Sequence, residues 1–389
     1  MVAGVSARKL KVLQVLPALN GGGVERGTLE IARALVARGH ESTVLSQGGR
    51  LVAELEREGS RHIALDIGRK SPLTLLQYRS VRKLFTRERF DIVHVRSRLP
   101  AWVAYLAWRG MDAQTRPHFV STVHGLHSVS AYSGIMCRGE RVIAVSNTVR
   151  SHIEKYYAQG SSAAHWPHID MQHVVTIARG VDPQEFPWQY QPSARWLEEF
   201  SAQYPQLAGK FVVTLPGRLT RLKGHHDFIA IIGTLVAMGL DIVGLVVGGE
   251  DPKRPAYAQE IRAQVMSEGL QERVMFLGHR SDMREIYAVS DCVLSLSGKP
   301  EAFGRTVLEA LALGRPVIAY AHGGVAEILD ALYPFGAVLN GDAKAVAERL
   351  VHVLQGSEQG GTPKVIRNEK FLLADMQQRT LAIYEELVS

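Results

Sequence analysis

The stretch CVLSLSGKPEAFGRTVLEALALGRPVIAY, residues 292–320, decides the fold class. It opens with an apolar run at 292–296 and continues through a loop into a helical pattern that begins near Gly304. After Gly314 it ends on a second apolar run at 316–320. Short apolar runs on either side of an amphipathic helix are typical of two parallel strands joined by a crossover helix. The stretch therefore predicts a parallel sheet with helices on both faces.

The same alternation runs through the whole chain. One series of apolar runs begins at residues 11–16, and a second begins at residues 211–215. Residues 182–207, which contain four prolines, indicate a connector between the series. We therefore expect an α/β protein with two doubly wound, Rossmann-like domains. The first covers residues 1–185 and is joined by the C-terminal helix at 374–389, and the second covers residues 186–373. Two such domains would face a cleft, with the chemistry at the carboxyl ends of the strands.

Composition limits the class of protein. The chain has 389 residues, of which 46% are hydrophobic and 21% are charged, as in globular proteins. Two cysteines exclude a disulfide framework and a four-cysteine zinc site. No apolar run reaches the length of a membrane span, and the first 17 residues lack the apolar core of a secretory signal. We therefore expect a cytoplasmic protein.

The net charge of +7 is unevenly distributed, with +10 in residues 1–190 and −3 in residues 191–389. A basic half attracts nucleic acid, anionic lipid or phosphorylated substrates. No basic recognition motif for nucleic acid is present. Residues 69–90 carry seven cations against one acid, Glu88, together with an apolar stripe. This segment is either a surface that docks on anionic lipid at the inner face of a membrane or an ordinary amphipathic helix.

A glycine-rich turn follows the first apolar run. Glycines such as Gly22 and Gly23 let the backbone approach a ligand closely, and a helix that starts there favours negative charge. A dinucleotide fingerprint is disfavoured because Arg26 occupies the third glycine position and no acid ends the second strand. A tight turn without a ligand remains the alternative.

The loop GRLTRLKG, residues 217–224, places two cations beside glycines. Arg218 offers a planar fork and Lys223 a mobile point charge, a suitable pair for a diphosphate. The order of residues differs from that of a Walker P-loop.

Two carboxylates, Glu301 on a loop and Glu309 inside a helix, lie eight positions apart. Glu309 interrupts an apolar run, so its carboxylate needs hydrogen bonds, which a pair of sugar or ribose hydroxyls would supply. The alternative is a glutamate on the helix surface. The free amides at the start of this helix are donors for an anion, and they belong to Phe303, Gly304, Arg305 and Thr306.

In this order, the three motifs resemble those of the retaining nucleotide-sugar glycosyltransferases of the GT-B fold, in the large family 4. The resemblance covers nearly the whole chain and is tightest over residues 215–327. The Glu-x7-Glu element, followed by Gly-x-Pro-Val, is among the most specific signatures of the family. Supporting matches are GVD at residues 180–182 and VMFLGH at 274–279. Ala302 departs from the usual glycine.

The resemblance implies a role for each matching residue of the second domain. Arg218 and Lys223 hold the donor diphosphate, and Glu309 binds the ribose hydroxyls. His279 and Arg280, which follow the Val-x-Phe-x-Gly pattern, contact the base.

It also implies which residues lie near the reaction. Glu301 and His124 lie against the transferred sugar, and Gly22 and Gly23 close on the phosphates and sugar. The catalytic set is therefore His124, Glu301, Arg218 and Lys223. No Asp-x-Asp metal motif is present, so fixed positive groups are expected in place of a metal, and no cofactor is expected.

The implied partners are a nucleotide-sugar donor, with UDP as the commonest base, and a glycan or lipid-linked glycan acceptor. Lipopolysaccharide core is the first choice of acceptor, because the family binds acceptors on the domain that is basic here. An epimerase of the same fold and a non-catalytic nucleotide-sugar-binding protein are the alternatives. Three histidines in one loop (165, 168 and 173) have loose metal-like spacing, but incidental loop histidines are the simpler interpretation.

Overall fold

The computed structural model describes residues 8–251, 255–359, 361 and 363–389. Residues 1–7, which open the segment considered for a signal sequence, lie outside that part. The chain forms two compact units, one up to Arg179 together with Leu373–Ser389, and one of Gly180–Leu372. The boundary between them falls a few residues before the one proposed from the sequence, so the GVD match at residues 180–182 belongs to the second unit.

The first unit contains a seven-stranded parallel sheet with the order β3-β2-β1-β4-β5-β6-β7. Its strands are β1 (Lys11–Val15), β2 (Glu41–Ser46), β3 (Arg61–Ala64), β4 (Ile92–Val95), β5 (His118–Val123), β6 (Arg141–Ala144) and β7 (Val174–Thr176). Its helices are α1 (Gly23–Ala37), α2 (Val52–Arg57), α3 (Tyr78–Glu88), α4 (Arg98–Arg109), α5 (Ala131–Gly134), α6 (Asn147–Tyr157) and α14 (Leu373–Val388).

The C-terminal helix α14 completes this unit. Its buried face joins the core that α1 and the sheet form, and Tyr384 is fully buried there. The Tyr384 hydroxyl lies 2.6 Å from Nδ1 of His94, a buried histidine on β4. The last helix is therefore a structural part of the first unit, although some 190 residues of the second unit separate it in sequence.

The second unit contains a six-stranded parallel sheet with the order β10-β9-β8-β11-β12-β13. Its strands are β8 (Phe211–Pro216), β9 (Ile242–Val247), β10 (Val274–Gly278), β11 (Cys292–Ser295), β12 (Val317–Tyr320) and β13 (Ala337–Val338). Its helices are α7 (Ala194–Gln203), α8 (His225–Ala237), α9 (Pro255–Ser267), α10 (Met283–Val289), α11 (Arg305–Ala312), α12 (Gly324–Leu332) and α13 (Ala343–Gln359).

Both sheets confirm the predicted fold class. Strands β8, β9, β11 and β12 are almost entirely buried, as expected for parallel strands covered on both faces. In each sheet the first strand of the unit lies centrally, and the strand order reverses beside it, between β1 and β4 and between β8 and β11. Loops that leave these neighbouring strands diverge to opposite faces of the sheet, which opens a crevice for a ligand at their carboxyl ends.

Three local predictions need correction. Ser71 and Pro72 are typical of a helix start, so the sequence predicts one helix over residues 71–89. The structure divides this segment, because Ser71 caps a 3-10 turn, Pro72–Gln77, that precedes α3. Leu73 and Leu76 are consequently exposed instead of continuing the buried stripe. The connector contains helix α7 and belongs to the second unit. His225 and His226 follow the loop of residues 217–224 in sequence, so a solvent-facing helix start is predicted there, but His225 is fully buried.

No helix in the described ranges is both long and apolar enough to cross a lipid bilayer.

Candidate functional site

The loop between β8 and α8 depends on two glycines. Gly217 has φ +145°, and a Cβ there would lie 3.1 Å from the Lys223 side chain, so the lysine stem lies across this position. Gly224 has φ +72°, and a Cβ there would lie 2.1 Å from the carbonyl oxygen of Leu296. Only glycine fits such a conformation and such a close approach. The loop is thereby held against the end of the neighbouring strand β11.

That close approach brings together two of the predicted residues, Lys223 and Glu301. Lys223 Nζ lies 2.6 Å from Glu301 Oε1, and both side chains are about one-quarter exposed, at 28% and 24%. Ser297 donates a hydrogen bond from its hydroxyl to the same carboxylate oxygen. Burial opposes ionisation of Glu301, but the charge and hydrogen bond of Lys223, with Ser297 and His322, lower its pKa below the ordinary value. Glu301 is therefore ionised at neutral pH and neutralises Lys223.

The Glu301 loop is fixed from the following strand. His322, just after β12, donates from Nε2 to the carbonyl oxygen of Ser297 over 2.6 Å. The amide of Gly324 donates to the carbonyl oxygen of Glu301 over 2.8 Å. Gly323 has φ +64°, and a Cβ there would lie 2.4 Å from that oxygen, so a side chain would push the Glu301 loop away. The position of the carboxylate therefore depends on the backbone at the start of α12.

Glu309 lies one turn into α11 and is already hydrogen-bonded. Arg305 donates from Nε to Oε1 over 2.8 Å, and the Tyr287 hydroxyl donates to Oε2 over 3.3 Å. The carboxylate side chain is only 13% exposed. Burial raises the pKa of Glu309 above the ordinary value, although the charge of Arg305 opposes this. Because a carboxylate has about four acceptor positions, these two partners leave capacity for hydroxyl groups.

The start of α11 also shows how the remaining residues of this motif are used. Gly304 precedes the helix with φ +100°, and a Cβ there would lie 2.6 Å from Val325. Phe303 is buried and packs edge-on against Phe371, with ring centroids 5.9 Å apart, so its side chain serves the core. Thr306 follows Arg305 in the first turn, where backbone amides have no partner within the helix.

The three other nitrogen-bearing side chains predicted for this unit, Arg218, His279 and Arg280, differ in their environment. Arg218 is exposed and has no ion pair within the described ranges. His279 is exposed beside Gly249, at the end of β9. Arg280 donates from Nε and Nη2 to Asp282 over 2.9 Å and 2.6 Å, and this carboxylate raises the pKa of Arg280. When Arg280 binds a ligand, it therefore either retains its ion pair with Asp282 or replaces it with a contact to the ligand.

In the first unit, Arg179 joins the glycine turn to His124. Arg179 is buried and donates to the carbonyl oxygen of Gly23, the first residue of α1. It also donates from Nη2 to Nδ1 of His124 over 2.8 Å. Gly22 precedes α1 with φ +151°, and a Cβ there would lie 2.8 Å from the carboxylate of Glu25.

These contacts determine the protonation state of His124 and which ring nitrogen carries the proton. Burial, with the charges of Arg179 and Arg96, holds the pKa of His124 well below its ordinary value, so the ring is neutral at pH 7. Since Nδ1 accepts from Arg179, the ring proton lies on Nε2. Nε2 is buried and has no hydrogen-bond partner in the described part of the chain. His124 is therefore a neutral hydrogen-bond donor, unable to act as a cationic acid at neutral pH.

Several site residues were missed by sequence reasoning. Ser297, Tyr287 and Asp282 are partners of Glu301, Glu309 and Arg280, and nothing in their spacing indicates this. Ser297 lies within residues 292–320, four positions before Glu301. This short separation between a hydroxyl and a carboxylate was the signal from which their hydrogen bond could have been predicted. Among the described residues, no group of three or more His, Cys, Asp or Glu side chains is arranged to hold a metal ion.

The chain matches two family models, described as Glycosyltransferase Family 4 over residues 21–185 and Glycosyl transferases group 1 over residues 198–370. A glycosyltransferase structure from Rickettsia africae is 31% identical, with a TM-score of 0.84, and covers 98% of this chain and 99% of that one.

Two other proteins are more distant. The Anabaena protein HepE, solved in complex with UDP-glucose, is 21% identical with a TM-score of 0.79, over 97% of this chain and 100% of that chain. A lipopolysaccharide core biosynthesis mannosyltransferase, LpcC of Rhizobium leguminosarum, is 26% identical over 277 residues, 70% of this chain and 71% of LpcC.

Proposed function

The chain belongs to the family 4, group 1 glycosyltransferases of the GT-B fold, and from this membership we propose that it transfers a hexose from a UDP-sugar to a bacterial surface glycan with retention of configuration. Transfer of a glycosyl group from a nucleotide sugar is the activity of this family. The UDP base, the retention and the acceptor are the parts that we propose.

The observation that carries the proposal is the joining of two loops at the switch point of the second sheet. The amide of Gly298 donates to the carbonyl oxygen of Leu222 over 3.0 Å, which links the loop of Lys223 to the loop of Glu301. Lys223 and the exposed Arg218 supply positive charge for a diphosphate, and Glu309 supplies acceptors for a ribose. Positioned cations stabilise the diphosphate as it leaves. We therefore propose that transfer needs no divalent metal.

For the first unit, we propose that Gly22, Gly23 and His124 act on the donor as the family resemblance implies. A sugar hydroxyl accepts a hydrogen bond from a neutral N–H group, and Nε2 of His124 can donate one. In the second unit we propose that His279 and Arg280 contact the nucleobase of the donor. Retention follows the family chemistry in which an oxygen of the leaving phosphate takes the acceptor proton.

The identity of the base is tested by a thermal-shift screen with UDP, GDP and ADP and their sugar conjugates, with EDTA present. A ligand at 100 times its Kd stabilises the folded state by about 2.7 kcal/mol, which gives a clear shift. We expect UDP and one UDP-sugar to stand out. A larger shift with GDP or ADP would change the donor class, and a shift that appears only when a divalent cation replaces EDTA would refute the metal-free site.

For the acceptor, we propose a lipopolysaccharide core or a related surface glycan. The support is the likeness to LpcC, which is described as a lipopolysaccharide core mannosyltransferase, and the basic character of the first 190 residues. Anomeric NMR of the product tests retention directly, because the one-bond carbon–proton coupling at the anomeric carbon distinguishes the two anomers. An inverted product would contradict the proposed mechanism.

A lipid-linked acceptor would bring the protein to a membrane surface, and the 3-10 turn Pro72–Gln77 supports such a contact. Leu73 and Leu76 are 71% and 55% exposed, and the flanking cations Arg69, Lys70, Arg79 and Lys83 are exposed as well. Apolar side chains within a basic patch are typical of segments that dock on anionic lipid.

Sedimentation with vesicles of anionic or zwitterionic lipid tests this contact. We expect binding to anionic vesicles only, and its loss in a variant with Leu73→Ser and Leu76→Ser. Met238→Ser removes an equally exposed apolar side chain from the second unit and is the matched control. If both variants bind anionic vesicles equally well, the segment is an ordinary amphipathic surface.

A further inference from the structure

A surface of arginines and aromatic rings lies on the first unit, outside the residues assigned above. It consists of Arg98, Trp102, Tyr132, Arg138 and Trp166, which we call the arginine–aromatic surface. Arg98 lies over the Tyr132 ring, with its guanidinium carbon 5.4 Å from the centroid. Trp102 donates from Nε1 to the Tyr132 carbonyl oxygen over 3.0 Å. These contacts tie the start of α4 to the loop that contains α5.

The surface continues from Trp102 to Arg138. The rings of Trp102 and Trp166 are stacked, with centroids 5.5 Å apart and planes inclined by 15°. The Arg138 guanidinium carbon lies 6.0 Å from the Trp166 ring centroid. Three separate segments, α4, the α5 loop and the loop before β7, therefore contribute to one continuous set of contacts.

Two members of the surface, Arg98 and Tyr132, lie at the ligand-binding edge of the first sheet. Arg98 is the first residue of α4, directly after β4, and Tyr132 belongs to the loop that begins at His124, directly after β5. Strands β4 and β5 are paired and parallel, so both segments leave the sheet at the same edge. Arg98 also donates to the Ser133 hydroxyl over 3.1 Å, which holds the two segments together.

The charges of this surface are not neutralised internally. Neither Arg98 nor Arg138 has a carboxylate partner in the described ranges. Arg98 bonds a serine hydroxyl, and Arg138 bonds the Tyr105 hydroxyl over 3.1 Å. Arg33 and Arg61 of the same unit, by contrast, form ion pairs with Glu58 and Glu88. Guanidinium groups are planar forks that bind phosphate and carboxylate.

The aromatic part of the surface suits a sugar. Tyr132 is 46% exposed, and Trp102 and Trp166 are partly exposed. An aromatic face is electron-rich, so the weakly positive C–H groups of a pyranose ring pack against it. Rings beside unpaired guanidinium groups thus match a sugar that carries a negative charge.

We propose that the arginine–aromatic surface binds the acceptor, and that this acceptor is a glycan with a phosphate or carboxylate substituent. The proposal rests on the proposed glycosyl transfer and specifies the chemical class of its acceptor. In it, Tyr132 and the tryptophans pack against the sugar, and Arg98 holds the anionic substituent.

Ligand-observed NMR on the full chain tests the proposal with four probes: methyl mannoside, mannose 6-phosphate, methyl glucuronide and inorganic phosphate. The two anionic sugars distinguish a phosphate from a carboxylate as the bound group. We expect at least one of them to bind about tenfold more tightly than the neutral sugar, as a charge-assisted hydrogen bond allows. Inorganic phosphate alone should bind more weakly than the preferred anionic sugar.

Two variants locate the binding. Arg98→Gln should reduce the affinity for the preferred anionic sugar about tenfold, and Tyr132→Leu should reduce the binding of charged and neutral sugars alike. Arg116→Gln is the matched control, because Arg116 lies 3.6 Å over the Trp108 ring, next to the opposite end of β5. It should bind all four probes as the wild type does.

UDP binding, measured on the same samples, separates this proposal from the donor proposal. Both variants should bind UDP as the wild type does. Equal affinity for neutral and anionic sugars, absence of binding by both anionic sugars, or unchanged affinity in Arg98→Gln would overturn the acceptor proposal. If the wild type failed to bind UDP, the donor proposal would fail whatever the sugars do.

Discussion

Replacing Glu301 with glutamine should tighten the binding of UDP while slowing transfer. In the unliganded protein the Glu301 carboxylate occupies Lys223, with Nζ and Oε1 2.6 Å apart. A diphosphate that approaches Lys223 must share the lysine with this carboxylate and is repelled by it. Glutamine keeps a neutral acceptor for the lysine and the Ser297 hydroxyl but removes the competing charge.

The magnitude follows from the position of the pair. Both side chains are about one-quarter exposed, so water screens the charge only in part. A hydrogen bond to a charged group contributes about 1.5–3 kcal/mol, and the neutral amide retains part of it. We therefore expect Glu301→Gln to strengthen UDP binding by about 1–2 kcal/mol, which is roughly a 5- to 30-fold lower Kd.

Isothermal titration with UDP, together with turnover of the UDP-sugar, measures both effects. Glu260→Gln is the control: it also removes one acid close to the loop, where Glu260 pairs with Arg221, but it leaves Lys223 untouched. The control should change Kd little, because Glu260 is well exposed and surface ion pairs contribute little. A folded Glu301→Gln protein whose UDP affinity is unchanged or weaker would refute the competition between carboxylate and diphosphate.

Three further results are expected. Glu309→Ala should raise the Kd for UDP about 10- to 100-fold through lost ribose hydrogen bonds, whereas titration with dideoxy-UDP, which lacks both hydroxyls, should give similar values for variant and wild type. Gly224→Ala should lower the free energy of unfolding in urea by more than about 2 kcal/mol, because φ is +72° and the new Cβ meets a carbonyl oxygen; Gly239→Ala, with φ +81° and open space, should cost only about 1 kcal/mol. Stability should fall as the pH drops below 6.5, because His94 and His124 bind protons in the unfolded chain but stay neutral when folded; each contributes a slope of up to about 1.4 kcal/mol per pH unit, and a flat urea-unfolding profile between pH 7 and 5.5 would contradict this.

The fold was largely predictable because its strands and helices follow from local patterns of apolar and polar residues. Buried parallel strands appear as apolar runs, and the helices between them carry amphipathic periodicity, so both sheets could be expected. The helices Arg98–Arg109 and Asn147–Tyr157 were missed. The first is apolar on most of its surface, and the second begins at an N-cap, Ser146, that was available in the sequence but was not used. The 3-10 turn that divides residues 71–89 was missed because Ser71 and Pro72 signal a helix start but do not fix the hydrogen-bonding pattern of the first turns.

The sequence predicted site residues one by one from recognisable motifs, but it did not predict which of them contact each other. Lys223 and Glu301 lie 78 residues apart in the chain. Each belongs to a glycine-containing loop motif that is visible in the sequence. Tyr287 reaches Glu309 from a different helix, and Arg179 reaches His124 across 55 residues, with no pattern to announce either contact. Such partners depend on tertiary packing, which local spacing does not encode.

The pairing of charges in the second unit bears on product release. Lys223, Arg280 and Arg305 each have a carboxylate partner, at Glu301, Asp282 and Glu309. Of these three cations, Lys223 is the one that we propose for the donor diphosphate, which therefore gains from it only the difference between its own contact and the Lys223–Glu301 ion pair. The same exchange runs in reverse after transfer, because the returning carboxylate replaces the diphosphate of the product. In the proposed mechanism, Glu301 therefore weakens the hold of Lys223 on the diphosphate product and favours product release.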